Sequence, residues 1–226
     1  AFAQKPGMIR LTDPKTKEPI PYSGSFNKAP LYVPAFWKPK KDEFRGIWVT
    51  TQHNIDFPAA KSAAEFRRNF LRVADNVRAA GFNALIFQIR PNNDAFYPSI
   101  WNPWSRFLSG TEGKPLDPAF DPLEFMIRES HRRGLEFHAW INPYRLAFTK
   151  HRSVAQFVRA LSPKNYAAMH PEWVLGIRDG ERTMMILNPG EPAVRQFILV
   201  TIAEILEKYD VDAIHIDDYF YPYTPI

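Results

Sequence analysis

The chain has 226 residues, of which 45% are hydrophobic and 23% are charged. This length and composition predict one sizeable globular domain rather than two. The formal net charge is +5, and the basic residues are scattered along the chain. The clustered basic face of a nucleic-acid-binding protein is therefore not expected. No apolar run approaches the roughly 18 residues of a membrane span, and the absence of cysteine excludes disulfides and thiolate chemistry.

Residues 1–43 form a proline-rich N-terminal arm, in which prolines recur from Pro6 to Pro39. Because proline removes a backbone donor and blocks helix interiors, we expect an irregular, partly ordered leader without regular elements. The first three residues, AFA, fit the small-residue pattern that precedes signal-peptidase cleavage. They predict an exported protein, secreted or periplasmic in the cell envelope; a chance pair of alanines is the alternative.

Beyond residue 43, short apolar runs alternate with segments of helical periodicity. The strand predicted at 44–50 is followed by a helix that begins at Ser62, where Glu65 completes a capping box, and ends near Gly81. Another helix is predicted at 121–134, with an aspartate cap and a proline in its first turn. Further strands are predicted at 84–90, 136–142 and 213–217, with a short helical piece from residue 162 and a longer helix from residue 192.

This alternation predicts an α/β fold with parallel strands and right-handed crossovers. We interpret residues 44–226 as the N-terminal half of a (β/α)₈ TIM barrel, roughly its first four β/α units. A small, open doubly wound sheet is the alternative, and it is less favoured because no glycine-rich phosphate turn follows any strand. Four strands alone would leave two parallel edges unpaired, so we expect the remaining half of the barrel, or a second copy, to close the fold.

Polar side chains share one face of the predicted strands. Since side chains alternate along a strand, each strand has an apolar face and a face that becomes polar toward its carboxyl end. In a barrel the second face points to the axis, and its last members line one mouth. A buried polar set of this kind is typical of a ligand site, although a structural role is the alternative for each member. The predicted set is Gln88, Arg90, His138, Asn142, His215 and Asp217, and Trp140 shares the face of His138.

The loops that follow these strands combine short polar groups with aromatic rings, the pattern that a polyhydroxylated ligand requires. The loop after residue 90 contains Asn92, Asp94, Trp101 and Trp104. Its asparagines could instead serve only to shape a turn, which is most plausible for Asn93. Two other polar turns carry Asn142, Tyr144, Arg145 and Asn188.

Two adjacent carboxylates, Asp217 and Asp218, end the strand at 213–217 and are the candidate catalytic residues. Alternation directs Asp217 into the cavity and gives Asp218 a supporting position. Glycosidases act with a pair of carboxyl groups, and Asp217 would be the nucleophile or base, kept ionised by Arg90 or His215. We expect its acid partner outside this chain, with Asp94 as the alternative. Metal binding by the His-x-Asp pair lacks a clear third ligand, so no metal or cofactor is predicted.

The motifs resemble one family, the glycosyl hydrolase-like 10 group, over about residues 43–222. This resemblance implies a bacterial, exported TIM barrel that acts on a glycan, and for characterised relatives on peptidoglycan strands without stem peptides. The strand that ends in Asp217 also resembles the chitinase motif, but His215 and Tyr219 replace two of its acids, which argues against substrate-assisted cleavage. The matching motifs are FRGIWVT (44–50), NID (54–56), FQIRPNNDA (87–95), NPWS (102–105), DPL (121–123), GLEFHAWINPYR (134–145), HPEW (170–173) and IHIDDYFYP (214–222).

We therefore predict a glycoside hydrolase that cleaves a cell-wall glycan such as peptidoglycan, or a related polysaccharide. A non-catalytic glycan-binding barrel and a metal-dependent deacetylase or hydrolase are the alternatives. The sugar, the linkage and the retaining or inverting outcome are left open by the sequence. The residues predicted to hold the sugar are Arg90, Asn92, Asp94, Trp104, His138, Trp140, Asn142, Tyr144, Arg145, Asn188, His215 and Tyr219.

Overall fold

The computed structural model describes residues 7–20, 29–36 and 43–217. Contacts divide the chain into two compact units, Ala1–Glu43 and Phe44–Ile226. The strands are β1 (Met8–Arg10), β2 (Tyr32–Pro34), β3 (Gly46–Val49), β4 (Ala84–Arg90), β5 (Glu136–Ile141), β6 (Arg145–Thr149), β7 (Val174–Asp179), β8 (Arg182–Leu187) and β9 (Ala213–Ile216). The helices are α1 (Ala63–Ala79), α2 (Arg106–Ser109), α3 (Pro122–His131), α4 (Val154–Val158), α5 (Tyr166–Met169) and α6 (Pro192–Lys208), with 3₁₀ turns at Gln52–Asn54 and Pro171–Trp173.

The first unit contains a two-stranded antiparallel sheet, in which Met8 pairs with Pro34 and Arg10 with Tyr32. The prediction that this proline-rich arm lacks regular elements is therefore wrong. Each strand of a two-stranded sheet is an edge, so a proline can occupy a position that makes no ladder hydrogen bond. Both strands are three residues long, and Pro34 is the last residue of β2.

The second unit is built on a four-stranded parallel sheet in the order β3-β4-β5-β9. Helices connect its strands, which confirms the α/β class and the parallel sheet; closure into an eight-stranded barrel stays a prediction. Helix α1 begins as predicted, because the Ser62 side chain accepts a hydrogen bond from the Glu65 amide. The Asp121 side chain caps α3 in the same way, with Pro122 in the first turn.

The main core lies between this sheet and its helices. Strand β4 contributes Leu85, Phe87 and Ile89, all fully buried. Strand β5 contributes Phe137 and Ile141 to the same face, and the rings of Phe87 and Phe137 stack at 6.3 Å. The alternation predicted for these strands is confirmed, apart from one position at the end of β4. Their opposite face, which we call the inner face, carries Trp48, Ile86, Gln88, His138, Trp140 and His215.

A second sheet, antiparallel and in the order β6-β8-β7, lies between β5 and α6 in the chain. It has its own hydrophobic cluster, to which β8 contributes Met185 and Leu187 and α6 contributes Val194 and Phe197. The sequence analysis assigned no strands to this segment. Over the described ranges, none of the helices combines the length and apolarity that a bilayer span requires.

Candidate functional site

Strand register aligns the inner-face residues in rows across the sheet. One row contains Trp48, Ile86 and His138, and the next contains Gln88, Trp140 and His215. Because parallel strands all run toward the same edge, the second row lies nearer the carboxyl ends. Functional groups of parallel α/β folds collect at that edge.

An open cavity of about 590 Å³ lies on the inner face, lined by Trp48, Trp140, His215, Ile216 and Asp217. Three of the residues predicted for the site are thus brought together. The Trp48 and Trp140 rings are 5.9 Å apart, and the His215 ring meets Trp48 edge-on at 5.4 Å. Among the described residues, the cavity therefore presents aromatic walls beside one carboxylate, Asp217.

Electrostatics and hydrogen bonding make this cavity receptive to a polar ligand. Partial burial lowers the pKa of His215, although the Asp217 carboxylate opposes the shift. The indole Nε1 of Trp140 and the amide Nδ2 of Asn142 are buried without a hydrogen-bond partner among the described residues. Buried donors usually have a partner, so the Trp140 indole, which belongs to the cavity wall, could serve a hydroxyl or carbonyl oxygen of a ligand. Asn142 is 1% exposed and is not part of this wall, contrary to its predicted place in the site.

His138 lies on the inner face but not in the wall of this cavity. It occupies the row nearer the amino ends of the strands, where its ring stacks on Phe44 at 5.3 Å and its Nε2 contacts the Glu136 carboxylate at 2.9 Å. Its nearness is a minor cause, after burial, of the lowered pKa of His215. This position indicates an influence on His215 rather than contact with a ligand at Asp217.

Arg90 does not face the cavity, so its predicted placement is wrong. The pairing of β4 with β5 shifts register between Gln88 and Arg90, and Arg90 stands opposite Ile141 of the core face. A bulge of this kind inserts one extra residue and reverses the alternation. The Arg90 side chain is 0% exposed and donates from Nη1 to the Thr201 hydroxyl of α6. It lies among the helices and cannot keep Asp217 ionised by direct contact.

Asn92 and Asp94 are also buried away from the cavity wall, contrary to the prediction. The Asp94 carboxylate is 2% exposed and accepts a hydrogen bond from the Asn92 amide at 3.1 Å. Burial raises the pKa of Asp94 to about 6 and outweighs its hydrogen bond with Ser105. Asn93 is part of a buried hydrogen-bond network, since the Asn102 side-chain amide donates to it at 2.8 Å and it donates to the Asn165 side chain at 2.9 Å. These contacts fit the structural role that was the alternative for Asn93.

The other predicted ligand-binding residues are dispersed. Trp104 packs half-buried against the main core, and Tyr144 packs against the second cluster. Asn188 shapes the turn before α6 by accepting from the Gly190 amide at 3.0 Å. The Arg145 guanidinium donates to the Gln52 side chain. Asp218 and Tyr219 lie outside the described residues.

The structure adds Trp48, which the sequence analysis placed on a strand but not in the site. Its signal was available, because Ile47 and Val49 on either side belong to the core face and alternation turns Trp48 inward. Within residues 7–20, 29–36 and 43–217, no three potential ligands among histidines and carboxylates are grouped so as to hold a metal ion.

Fold and site together define an α/β protein whose parallel sheet carries an aromatic cavity with a carboxylate at its strand ends. The chain belongs to the Glycosyl hydrolase-like 10 family, whose model matches residues 43–226, and the family resemblance is thereby confirmed. Similar proteins include the glycosyl hydrolase YngK of Bacillus subtilis, 44% identical over 183 residues, covering 80% of this chain and 34% of that protein. The glycosyl hydrolase DigH of Escherichia coli K12 is 33% identical over 204 residues, covering 85% and 45%.

The chain thus spans less than half the length of these curated relatives. Among solved structures, it overlaps the α-galactosidase AgaA of Geobacillus stearothermophilus with a TM-score of 0.47 and 14% identity, over 77% of this chain and 21% of that one. A maltogenic α-amylase, AmyB of Thermotoga neapolitana, overlaps with a TM-score of 0.46 and 12% identity, over 80% and 40%. Family membership, rather than these partial overlaps, bears on function.

Proposed function

We propose that this protein is part of a glycoside hydrolase in which Asp217 is a catalytic carboxylate. The observation that carries the proposal is the cavity in which Asp217 stands beside Trp48, Trp140 and His215. Aromatic faces stack on the apolar faces of sugar rings, while ring-edge hydroxyls take hydrogen bonds from groups such as the Trp140 indole. Membership of the Glycosyl hydrolase-like 10 family supports the same function.

The proposed substrate is a cell-wall glycan, namely peptidoglycan strands without stem peptides, as the family resemblance implies. In the reaction, the Asp217 carboxylate attacks the anomeric carbon or activates a water, and a second carboxyl group protonates the leaving oxygen. A separation of about 5 Å between the two groups would give retention, and about 6.5–9.5 Å would give inversion. Export to the cell envelope places the protein where this substrate is found.

We further propose that additional β/α units, or a second copy of the chain, cover the inner face. Trp48 and Phe44 are 58% and 56% exposed there, although both are large apolar side chains. In the described sheet, β3 and β9 each pair on one side only. Parallel sheets are normally covered on both faces, so a continued barrel would bury these rings and supply the acid partner of Asp217.

Asp217→Asn tests this function. The amide keeps the size of the carboxylate but cannot act as nucleophile or base, so release of reducing ends from peptide-free glycan strands should fall by at least about 100-fold. Asp210→Asn, an exposed change beyond α6, is the matched control and should cleave as the wild type does. An Asp217→Asn protein that cleaves at the wild-type rate would exclude the proposed role.

One observation favours a second candidate, a glycan-binding protein without catalysis: Asp217 is the single carboxylate in the described wall of the cavity. Such a protein would retain glycan strands in a pull-down without releasing reducing ends. Trp48→Ala should weaken glycan retention under either function, because it removes the most exposed stacking surface of the cavity. Reducing-end release by the whole protein decides between the two.

A further inference from the structure

The loop between β3 and α1 is held in an unusual backbone conformation. His53 and Asn54 are consecutive non-glycine residues with φ of 53° and 52°. A conformation of this kind is unfavourable for a residue with a side chain and persists only where the surroundings enforce it. Strained segments of this kind concentrate at functional sites, and this loop follows the carboxyl end of the strand that carries Trp48.

Side-chain hydrogen bonds enforce the turn of the loop. The Asn54 side-chain Nδ2 donates to the backbone carbonyl oxygens of Phe57 at 3.0 Å and Phe107 at 2.8 Å. The Asp56 carboxylate accepts from the Thr50 amide at 2.9 Å. These contacts hold the loop from within and at α2, and a further group holds its first residues against the sheet.

That group is Gln88, from the row of Trp140 and His215. Its side-chain Oε1 accepts hydrogen bonds from the Thr50 hydroxyl at 2.8 Å, the Thr51 backbone N–H at 3.0 Å and the Gln52 backbone N–H at 2.9 Å. One carbonyl oxygen thus holds donors from three successive residues, and the side chain is only 1% exposed. These contacts order the loop, because a loop that moved away from Gln88 would leave its three donors and the buried Oε1 without hydrogen-bond partners, which is costly.

The loop in turn positions a side chain of the second sheet. Gln52 is the last of the three residues that Gln88 holds, and its side-chain Oε1 accepts a hydrogen bond from the Arg145 guanidinium. Arg145 is the first residue of β6, which begins shortly after the carboxyl end of β5. Any shift of Thr51 or Gln52 would therefore move Arg145 relative to the strand end that carries Trp140.

We infer that Gln88 is a positioning residue: its amide oxygen sets the β3–α1 loop, and through Gln52 it sets Arg145 at the start of β6, shortly after the carboxyl end of the strand that carries Trp140. The inference rests on the proposed function. Gln88 touches no reacting atom in this scheme. It acts by fixing the distance between the loop and the carboxyl ends of the strands, and small displacements of positioning groups can reduce turnover about 100-fold.

The test compares Gln88→Met with Gln88→Glu in the whole protein. Methionine matches the side chain in size but accepts no such bonds, so kcat/KM on peptide-free glycan strands should fall about 10- to 100-fold, mainly through kcat. Glutamate keeps an oxygen for the same three donors and should restore activity to within about fivefold of the wild type. Hydrogen exchange at Thr51 and Gln52 should accelerate in the methionine variant and not in the glutamate variant.

Gln196→Met, the same substitution on the exposed side of α6, is the control and should change neither exchange nor activity. Thr50→Val, which removes one of the three donors, should give a milder loss of the same kind, about two- to fivefold, and replaces Gln88→Met if that variant does not fold. If the wild type cleaves the glycan and both Gln88→Met and Thr50→Val are fully active, the positioning role is overturned and the proposed function stays intact.

Absence of cleavage by the wild type would instead refute the hydrolase. The positioning role is then decided by the affinity for the same glycan strands. Loss of affinity in Gln88→Met with recovery in Gln88→Glu supports it, and equal affinity of both variants with the wild type rejects it.

Discussion

At the scale of single residues, the site is governed by which polar groups reach the inner face. Trp140, His215 and Asp217 reach it, whereas Arg90 and Asp94 are enclosed between the sheet and the helices. Alternation predicted the first group because β5 and β9 are regular. It was wrong for Arg90 because a single extra residue in β4 turned that side chain round. No residue type at positions 88–90 signals this bulge.

The buried Asp94 predicts a distinct dependence of stability on pH. Its pKa is raised from 3.8 to about 6, so the folded state favours the protonated carboxyl group. The stabilisation is complete below about pH 4 and is lost as the pH rises through about 6. Asp94→Asn keeps an acceptor for the Asn92 amide but cannot ionise. Between about pH 4 and 7 the wild type should lose on the order of 3 kcal/mol of unfolding free energy relative to this variant.

Urea unfolding of both proteins across this pH range measures the difference. Asp117→Asn is the control, because Asp117 is an exposed carboxylate that caps a surface turn through the Ala119 amide. Its unfolding free energy should stay parallel to that of the wild type. A constant difference between Asp94→Asn and the wild type at all pH values would contradict the burial of an ionisable Asp94.

At the scale of elements, the parallel strands were predictable and the antiparallel sheet was missed. Apolar alternation indicates strands β4 and β5, and the cap at Ser62 indicates α1. Strands β7 and β8 flank a two-residue turn, Gly180-Glu181, and a glycine at the first position of such a turn between apolar runs is a known hairpin signal. The polar turn at Asn188 was interpreted only as a ligand contact, and the hairpin before it was not predicted.

The β7–β8 turn can be tested at Gly180, which has φ of 57°. Among the described residues, no neighbouring atom lies within 4 Å of the point that a Cβ would occupy there, so any cost of substitution comes from the backbone. Gly180→Val should lower the unfolding free energy by about 1–2 kcal/mol, while Gly180→Asn, which tolerates positive φ, should cost less. Equal stability of the two variants in urea unfolding would show that the turn does not need this conformation.

At the scale of the whole molecule, family and class followed from the order of the motifs along residues 43–226, which the family match confirms. The residues that form the site could not be predicted from the motifs, because they depend on which polar side chains already have hydrogen-bond partners within the fold. Gln88 illustrates this: alternation placed it correctly on the inner face, but only the contacts of its Oε1 with the β3–α1 loop show that this oxygen is occupied.

Helix α6 reaches back to a part of the chain made much earlier. Arg90 meets Thr201 across 111 positions, and Ser99 meets Glu204 across 105. Long separations of this kind slow folding, since a large loop must close before the contact forms. At a synthesis rate of about 5–20 residues per second, Thr201 and Glu204 would be made roughly 5–20 s after Arg90 and Ser99. We therefore expect this region of a nascent chain to stay unpaired until α6 has been synthesised.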